Sequence, residues 1–394
     1  MGTPVETVAS ALPDSARAVL AELATSGAAT RPQLGTKLNL SKPTVSAAIT
    51  QLEAHDLVTA GGHRQGATGR TAVVYNLGPG AGHVLGLDVG STFVRVRAKT
   101  LDGRLLAERG EEVPAGENAN ALAGTMLSSV RSELGAAHGP LRSIAAATST
   151  MVGPVAPEGS RGPAVLEDLR RQLDPPESVP VLVENNVNCA AIAEMTHGAA
   201  DGVDSFVYLQ AGVRIGVGIV HNGSVVRGRT GGAGEIAYLP FPWGSGASPQ
   251  RGELESYLGS AALMQRCRES WPRGHGTPPA QPAELFALAA QGDSAAEAAV
   301  RRHAEDLGNL VTATVAVLDP ELVVLGGGIG QNHILLPGVQ DAVRRLIWET
   351  PITTSQLGNE ATVLGAVALA ADAGLAELTR TPGTLSKNVR ALTR

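Results

Sequence analysis

The sequence predicts an α/β protein in which a small N-terminal winged helix-turn-helix precedes a larger two-lobed body. Three observations carry this expectation. Apolar residues recur at three- and four-residue spacing as far as Leu52 and then change to alternation. A Gly-Pro-Gly-Ala-Gly run from Gly78 to Gly82 breaks both neighbouring patterns. Beyond it, a rhythm of three strands and two turns occurs twice.

Between Ser15 and Leu77 the pattern gives three short helices and a hairpin. Val19, Leu20 and Leu23 form the buried face of the first helix; Leu34 and Leu38 form that of the second, which starts near Pro32. Asn39-Leu40 makes a tight turn. Ser41 is placed to N-cap the third helix, and Pro43 sits in a first turn that needs no N–H. Val45, Ile49 and Leu52 make one stripe, leaving Pro43, Ser46, Ala47, Thr50 and Gln51 on the other side. A helix with small and hydrogen-bonding residues outward fits a major groove. Ser41 and Thr44 belong to the same DNA-contacting set, and Lys42 and Arg31 are placed for phosphates. Leu57 and Val58 open a strand that returns through Val73, Tyr75 and Leu77. The glycine-rich stretch from Gly61 to Arg70 between them is expected to be a loop, a wing carrying Arg64 and Arg70. The alternative is a three-helix packing or docking module. Residues 1–80 hold six Lys/Arg against five Asp/Glu, near +1, within a chain of net charge −6. So weak a charge implies modest nonspecific affinity, and useful binding to a double-stranded operator then needs two readers on one site.

The segments expected are residues 1–77 for the DNA-binding domain, 78–83 for a linker, 84–200 and 201–376 for the two lobes, and 377–394 for a basic flexible tail. In the first lobe, Val84 to Leu87 reads as a buried strand, followed by Asp88-Val89-Gly90-Ser91-Thr92, a strand from Phe93 to Ala98, a turn at Asp102-Gly103 and a strand from Arg104 to Ala107. The second lobe repeats this with Phe206 to Gln210, Gly212-Val213-Arg214-Ile215-Gly216, a strand to Val220, Asn222-Gly223 and Ser224 to Arg227. Helices are expected near Asn120 to Leu134, Asn188 to His197, Ala283 to Ala290 and Ser294 to Leu318. The last of these, with Leu307, Leu310, Val311 and Val315, suits core or dimer packing.

Composition excludes several classes. With 394 residues, 43% of them hydrophobic, and no apolar run near twenty long, the expectation is a soluble chain with no membrane span. Aromatics are only 3%, so Ala, Val and Leu must build the cores. The N-terminus lacks a signal-peptide pattern, which places the expectation in the cytoplasm. Cys189 and Cys267 are the two cysteines and offer no disulfide framework.

Four segments behind the winged helix resemble the ROK family of repressors, open reading frames and kinases: Val84 to Thr92, Glu184-Asn185-Asn186-Val187-Asn188, Gly232-Ala233-Gly234-Glu235-Ile236 and Leu325-Gly326-Gly327-Gly328. The resemblance runs from about Ser15 to Ala373. It implies an actin-like ATPase (ribonuclease H-like) sugar-kinase fold, a sugar-binding cleft, operator binding by the winged helix, and assembly as a homodimer or homotetramer through the body.

Departures from the family pattern separate its branches. Where the kinases carry Asn-Asp, with the carboxylate as general base, this chain has Asn185-Asn186. An amide cannot take a hydroxyl proton, so help worth on the order of 10²–10⁴ in rate is absent. The family's second phosphate loop, Gly-Thr-Gly, is here Gly212-Val213-Arg214; the first keeps Asp88, Gly90 and Thr92 but has Ser91 in place of glycine. These read as a degenerate nucleotide loop, with a tight strand-to-strand turn as the plain alternative for the first. Arg214 is open to two readings, an anionic effector or an ordinary ion pair. Tyr238 stands at the family's zinc-binding histidine, and Trp243 to Glu253 holds no cysteine, so neither metal nor cofactor is expected. Glu235 and Glu255 remain where the family's glutamates touch sugar hydroxyls, and with Asn185 and Asn186 they are the expected ligand residues. The family's Asn-Leu-Pro-Gly-Trp-like wall is missing after Gly153-Pro154. That leaves a phosphorylated or unusual carbohydrate, another metabolite, or no effector.

The favoured expectation is a transcriptional regulator, a repressor with a catalytically inactive sensing body. The alternative is an ATP-dependent sugar kinase with an accessory DNA-binding domain.

Overall fold

The computed structural model describes residues 12–65, 71–150, 152, 162–242 and 248–379. They pack as two units: one holds the residues up to Thr150, those ending at Glu184 and those from Ala366 onward, and the other holds Asn185–Gly365. The division departs from the expected boundary at 200/201. Residues 185–200 pack with the second lobe, and the C-terminal helix returns to the first.

The first unit opens with α1 (Asp14–Ser26), β1 (Ala29–Thr30), α2 (Arg31–Leu38) and α3 (Lys42–Ala54). Thr30 and Gln33 form a reciprocal capping box at α2, with the Thr30 N–H donating to Gln33 Oε1 at 2.9 Å. Asn39 takes the left-handed conformation that ends α2, φ 52°. At α3 the Thr44 N–H donates to Ser41 Oγ at 3.3 Å, satisfying one orphan donor of the first turn. Val45, Ala48, Ile49 and Leu52 of α3 are buried, as are Ala16, Val19, Leu20 and Leu23 of α1 and Leu34 of α2. Leu38 stays half-exposed, so Leu34 alone anchors α2.

β2 (Val58–Gln65) and β3 (Thr71–Leu77) form the hairpin, with sheet order β1-β3-β2. The expected loop from Gly61 is corrected here: Gly61 to Gln65 are strand. The glycines serve a register irregularity between Ala60 and Gly62, where a Cβ on Gly61 would fall 1.7 Å from the Asn76 amide. A bulge of this kind needs small residues as much as a loop does.

The segment expected to be a linker is packed backbone. Pro79–Ala81 forms a 3-10 turn with Ala81 buried. On its reader side, the Gly78 N–H donates to Leu57 O at 2.8 Å and the Gly80 N–H to Asp56 O at 2.8 Å. On its body side, Arg142 donates from Nε to Ala81 O at 2.9 Å and from Nη2 to Gly80 O at 2.7 Å. A Cβ on Gly78 would sit 2.2 Å from Asp56 O, and one on Gly82, at φ 85°, would sit 2.1 Å from Pro140 O. Glycine is present for close approach, not for looseness.

The body of the first unit comprises β4 (His83–Val89), β5 (Phe93–Thr100), β6 (Leu105–Glu112), α4 (Ala119–Leu134), β7 (Leu141–Thr148), α5 (Gly162–Leu173) and β8 (Val181–Asn185). The second unit holds α6 (Asn186–His197), β9 (Phe206–Ala211), β10 (Ile215–His221), β11 (Ser224–Val225), α7 (Glu253–Leu258), α8 (Ser260–Ser270), α9 (Pro282–Ala290), α10 (Ser294–Leu318), β12 (Leu322–Gly326), α11 (Gly327–Gly330), α12 (Leu336–Leu346) and β13 (Ile352–Thr354). The two sheets run in the orders β6-β5-β4-β7-β8 and β11-β10-β9-β12-β13, the same 3-2-1-4-5 path in each. In both, the second strand is antiparallel to the first and the fourth is parallel to it. The duplication seen in the sequence is therefore a duplication of topology. Cys189 and Cys267 are both buried free thiols.

α13 (Ala361–Thr379) starts in the second unit and continues in the first. The stretch Gly358–Thr379 is long and apolar enough to cross a membrane, with mean hydropathy 1.5. It serves as core: a Cβ on Gly86 of β4 would strike Val367, and Ser143 Oγ donates to Ala370 O.

Gly82→Ala combines a disfavoured φ with a backbone collision and is expected to cost about 2 kcal/mol or more. Calorimetry should show a lowered Tm, whereas Gly103→Ala, where φ is 86° but nothing lies within 4 Å, should cost less.

Candidate functional site

The expected DNA-reading residues that are described belong to α2, α3 and β2 of the first unit, with Ser41 as the N-cap of α3. On α3, Lys42, Pro43, Ala47, Thr50 and Gln51 are exposed and Thr44 and Ser46 are half-exposed, opposite the buried stripe. Thr50 Oγ1 donates to Ser46 O at 3.0 Å, which engages its hydroxyl proton and leaves its oxygen able to accept. Arg31 opens α2 with its guanidinium 5.0 Å from the Tyr75 ring centroid, a cation–π contact that ties a cation to β3. Arg64 is exposed on β2. Arg70 lies outside the described residues, as do Gly153-Pro154 and the tail from residue 380.

In the second unit, four elements meet around β10. The β9–β10 turn is tight, with the Gly212 N–H donating to Arg214 O at 3.0 Å and Ser260 N–H to Gly212 O at 2.8 Å. Gly212 also approaches the glycine-rich start of α11, where its Cβ would stand 3.4 Å from Gly328 N. α6 lies on β10 at two glycines: Gly216 faces the Val187 side chain, and a Cβ on Gly218 would sit 2.8 Å from Val187 O. The Gly232 to Glu235 turn is held by the Val217 N–H donating to Gly234 O at 3.0 Å. Glu255 of α7 accepts from the Ile215 N–H at 3.4 Å. Gly212, Arg214, Glu235 and Glu255 are thus assembled on one strand's surroundings.

Burial pushes the Glu235 carboxyl up, the neighbouring Glu255 charge pushes it further, and Arg214 opposes both. Arg214 is near enough to Glu235 for its positive charge to act on that carboxyl, and both readings of Arg214 stay open. Two carboxylates and a guanidinium make a set of strong acceptors beside a donor, suited to hydroxyl-rich ligands.

α6 begins at Asn186, two residues earlier than expected, because Asn185 acts as its N-cap. The Val187 N–H donates to Asn185 Oδ1 at 2.9 Å and to Asn186 Oδ1 at 3.0 Å. Both amide oxygens are engaged with the same orphan donor, and the Asn186 side chain retains an NH₂ to donate.

Asp88, Gly90 and Thr92 belong to the first unit. Asp88 is ion-paired to Arg95, its cross-strand partner in the β4–β5 register, at 3.6 Å. The Gly90 N–H donates to Phe93 O at 3.0 Å, and Val113 N–H to Thr92 O at 3.0 Å, which is the geometry of a strand-to-strand turn. Arg95 was missed in the sequence; the alternation Arg95, Arg97 opposite Asp88 and Glu108 was the available signal. Tyr238, at the position of the family's histidine, is exposed under Arg251, 4.9 Å from its ring centroid. Among the described residues no group of His, Cys, Asp and Glu has a metal-holding arrangement.

Because the folded-state pKa of Glu235 is raised, its contribution favours folding at low pH and is lost as pH rises from the ordinary value of 4.5 through the raised one. Glu235→Gln should therefore gain stability relative to the parent above that window and show no advantage below it. Thermal unfolding of both proteins across pH 4 to 8 checks the sign.

A ROK family model matches residues 84–373, and a MarR family model matches residues 12–67. The xylose repressor of Caldicellulosiruptor bescii is 22% identical over 363 residues, covering 86% of this chain and 90% of that protein. A glucokinase of Halalkalibacterium halodurans is 29% identical over 217 residues, covering 50% of this chain and 65% of that protein. Among solved structures, a ROK family transcriptional regulator, a homologue of the E. coli MLC protein, superposes with TM-score 0.70 at 21% identity, over 93% of this chain and 98% of that one. That likeness shows the shared fold, a winged helix followed by a sugar-kinase-like body. The chain belongs to the ROK family and carries a MarR-type winged helix ahead of its ROK domain.

Proposed function

We propose that the protein is a DNA-binding transcriptional repressor whose kinase-derived body senses a carbohydrate or related metabolite without phosphorylating it. The observation that carries this reading is the outer face of α3: a capped helix with a buried apolar stripe on one side and exposed Ala47, Thr50 and Gln51 on the other. Gln51 suits a bidentate contact to adenine, and Ala47 suits a thymine methyl. Ser41, Lys42 and Pro43 at the helix start, with Thr44 and Ser46 beside the groove, set its entry. Arg31 and Arg64 serve phosphates, as does Arg70 on the expected wing. The repressor relatives match this chain along both its parts, while the glucokinase matches half of it.

Loss of catalysis is part of the proposal. General-base chemistry needs a free carboxylate at 186; the Asn186 oxygen instead accepts from Val187 N–H. Asp88, where a nucleotide's charge partner would be needed, already faces Arg95. The remaining groups, Asn185, Asn186, Glu235 and Glu255, retain hydrogen-bonding capacity for hydroxyls. A ligand that prefers one arrangement of the body changes operator affinity by that preference alone.

We further propose a homodimer or homotetramer. Val317 at the end of α10 is 81% exposed, and Leu346 and Trp348 beyond α12 are 60% and 54% exposed. Exposed apolar residues of this size fit a contact with a second copy, which would also supply the second reader that a weakly charged domain needs.

Lys42→Ala should weaken operator binding across all sequences and reduce the salt slope by about one per reader, whereas Gln51→Ala should relax base preference at one position of the half-site. Fluorescence anisotropy over a salt series distinguishes the two. ADP release with ATP and a panel of hexoses, pentoses and amino sugars should stay at background; robust turnover would favour the kinase alternative.

A further inference from the structure

The first unit carries a cleft that neither the DNA-reading face nor the carbohydrate candidates use. Its volume is about 540 Å³, and its lining includes His83, Ser128, Arg131, Ser132, Gly139 and Pro176. Ser128, Arg131 and Ser132 share one face of α4 by their spacing, while Ala123, Met126, Leu127 and Val130 are buried in the core. Arg131 is anchored by donating from Nη1 to Asp174 O at 3.2 Å. The rest of its guanidinium fork retains donors for an oxyanion.

His83 supplies the second, independent observation. Its side chain is 4% exposed, yet Nδ1 has no hydrogen-bond partner. A buried ring nitrogen left unpaired keeps its full desolvation penalty, and native structures avoid this unless a water or ligand completes it. Burial holds the imidazole below its usual pKa, with the backbone of His138 and Gly139 opposing. The neutral ring presents one donor and one acceptor, and which nitrogen is which depends on the tautomer. A hydroxyl is the group that satisfies either tautomer, because it both donates and accepts.

The cleft also abuts the packed joint. The His83 N–H donates to Pro140 O at 3.0 Å, and Gly139 approaches so closely that a Cβ there would fall 1.9 Å from Pro79 O. An occupant therefore rests on the same segments that clamp residues 79–82.

We propose that this cleft is a second small-molecule site, taking a small hydroxylated oxyanion whose hydroxyl meets His83 and whose anionic end meets Arg131 and Ser132. The site is independent of the carbohydrate candidates in the second unit, so its test does not depend on their reading. Full-length protein labelled with ¹⁵N-histidine is titrated with glycerol 3-phosphate, with D-glycerate, with glycerol and with inorganic phosphate at millimolar concentration. The expected result is a saturable shift of the His83 Nδ1 resonance with glycerol 3-phosphate or D-glycerate, the stronger of the two identifying the anion as phosphate or carboxylate. Arg131→Gln should weaken that affinity roughly tenfold, and Ser132→Ala, an exposed change that leaves the fold intact, by a smaller factor. The proposal is overturned by an unmoved Nδ1 resonance with both anions, by equal shifts with glycerol or phosphate alone, or by affinities that neither variant alters.

Discussion

Backbone packed on backbone between residues 78 and 82 is the constraint on which the arrangement of the first unit rests. Gly78 lies against Asp56 O just beyond α3, and Gly82 lies against Pro140 O just before β7. No side chain fits at either point. Arg142 then caps the turn by donating to the Gly80 and Ala81 carbonyls; burial weighs against its charge, and the Glu377 carboxylate supports it. Glu377 is on α13, and the Arg142 side chain also lies 3.0 Å from where a Cβ on Gly374 would stand. The last helix among the described residues thus bears on the residue that holds the winged helix's attachment. Under the proposed function, a packed attachment of this kind transmits a small displacement that a loose tether would dissipate.

The opposite end of that helix is held in the second unit. A Cβ on Gly365 would collide with Cys189 O of α6, and the buried Glu194 of α6 accepts from the Leu357 N–H at 3.1 Å and from Ser355 Oγ. α6 is also the helix whose first residues are Asn186 and Val187 and whose Val187 packs on Gly216 and Gly218 beside the Glu235–Glu255 pair. Two of the candidate ligand residues, Asn185 and Asn186, and the start of α13 are therefore attached to one short helix.

Much of this was legible in the sequence. Ser41, Pro43 and the stripe Val45, Ile49, Leu52 located α3 because capping and periodicity are local and strong. The Asp102-Gly103 and Asn222-Gly223 turns exposed the duplicated lobes for the same reason. Glycine was harder to read. In Gly61-Gly62 it marks a bulge within β2 and in Gly78 to Gly82 a close approach, and both look like a loop when only composition is seen. Long-range partners were harder: the alternation of Arg95 and Arg97 could be read, but which acids it faces follows only once the strand register is known, and nothing local sets Arg142 against Gly80. The unit boundaries also followed from tertiary packing, since α6 joins β10 through glycines far from it in sequence.

The central claim is that this ROK chain is a sequence reader governed by a small molecule. Selecting DNA fragments from random and genomic pools on the purified full-length protein, with and without a carbohydrate panel, measures it most directly. The account predicts enrichment of an inverted repeat with two half-sites in register on one DNA face, released by at least one member of the panel. A selection that enriches no sequence, from a protein that converts one of those carbohydrates to its phosphate ester, would contradict it.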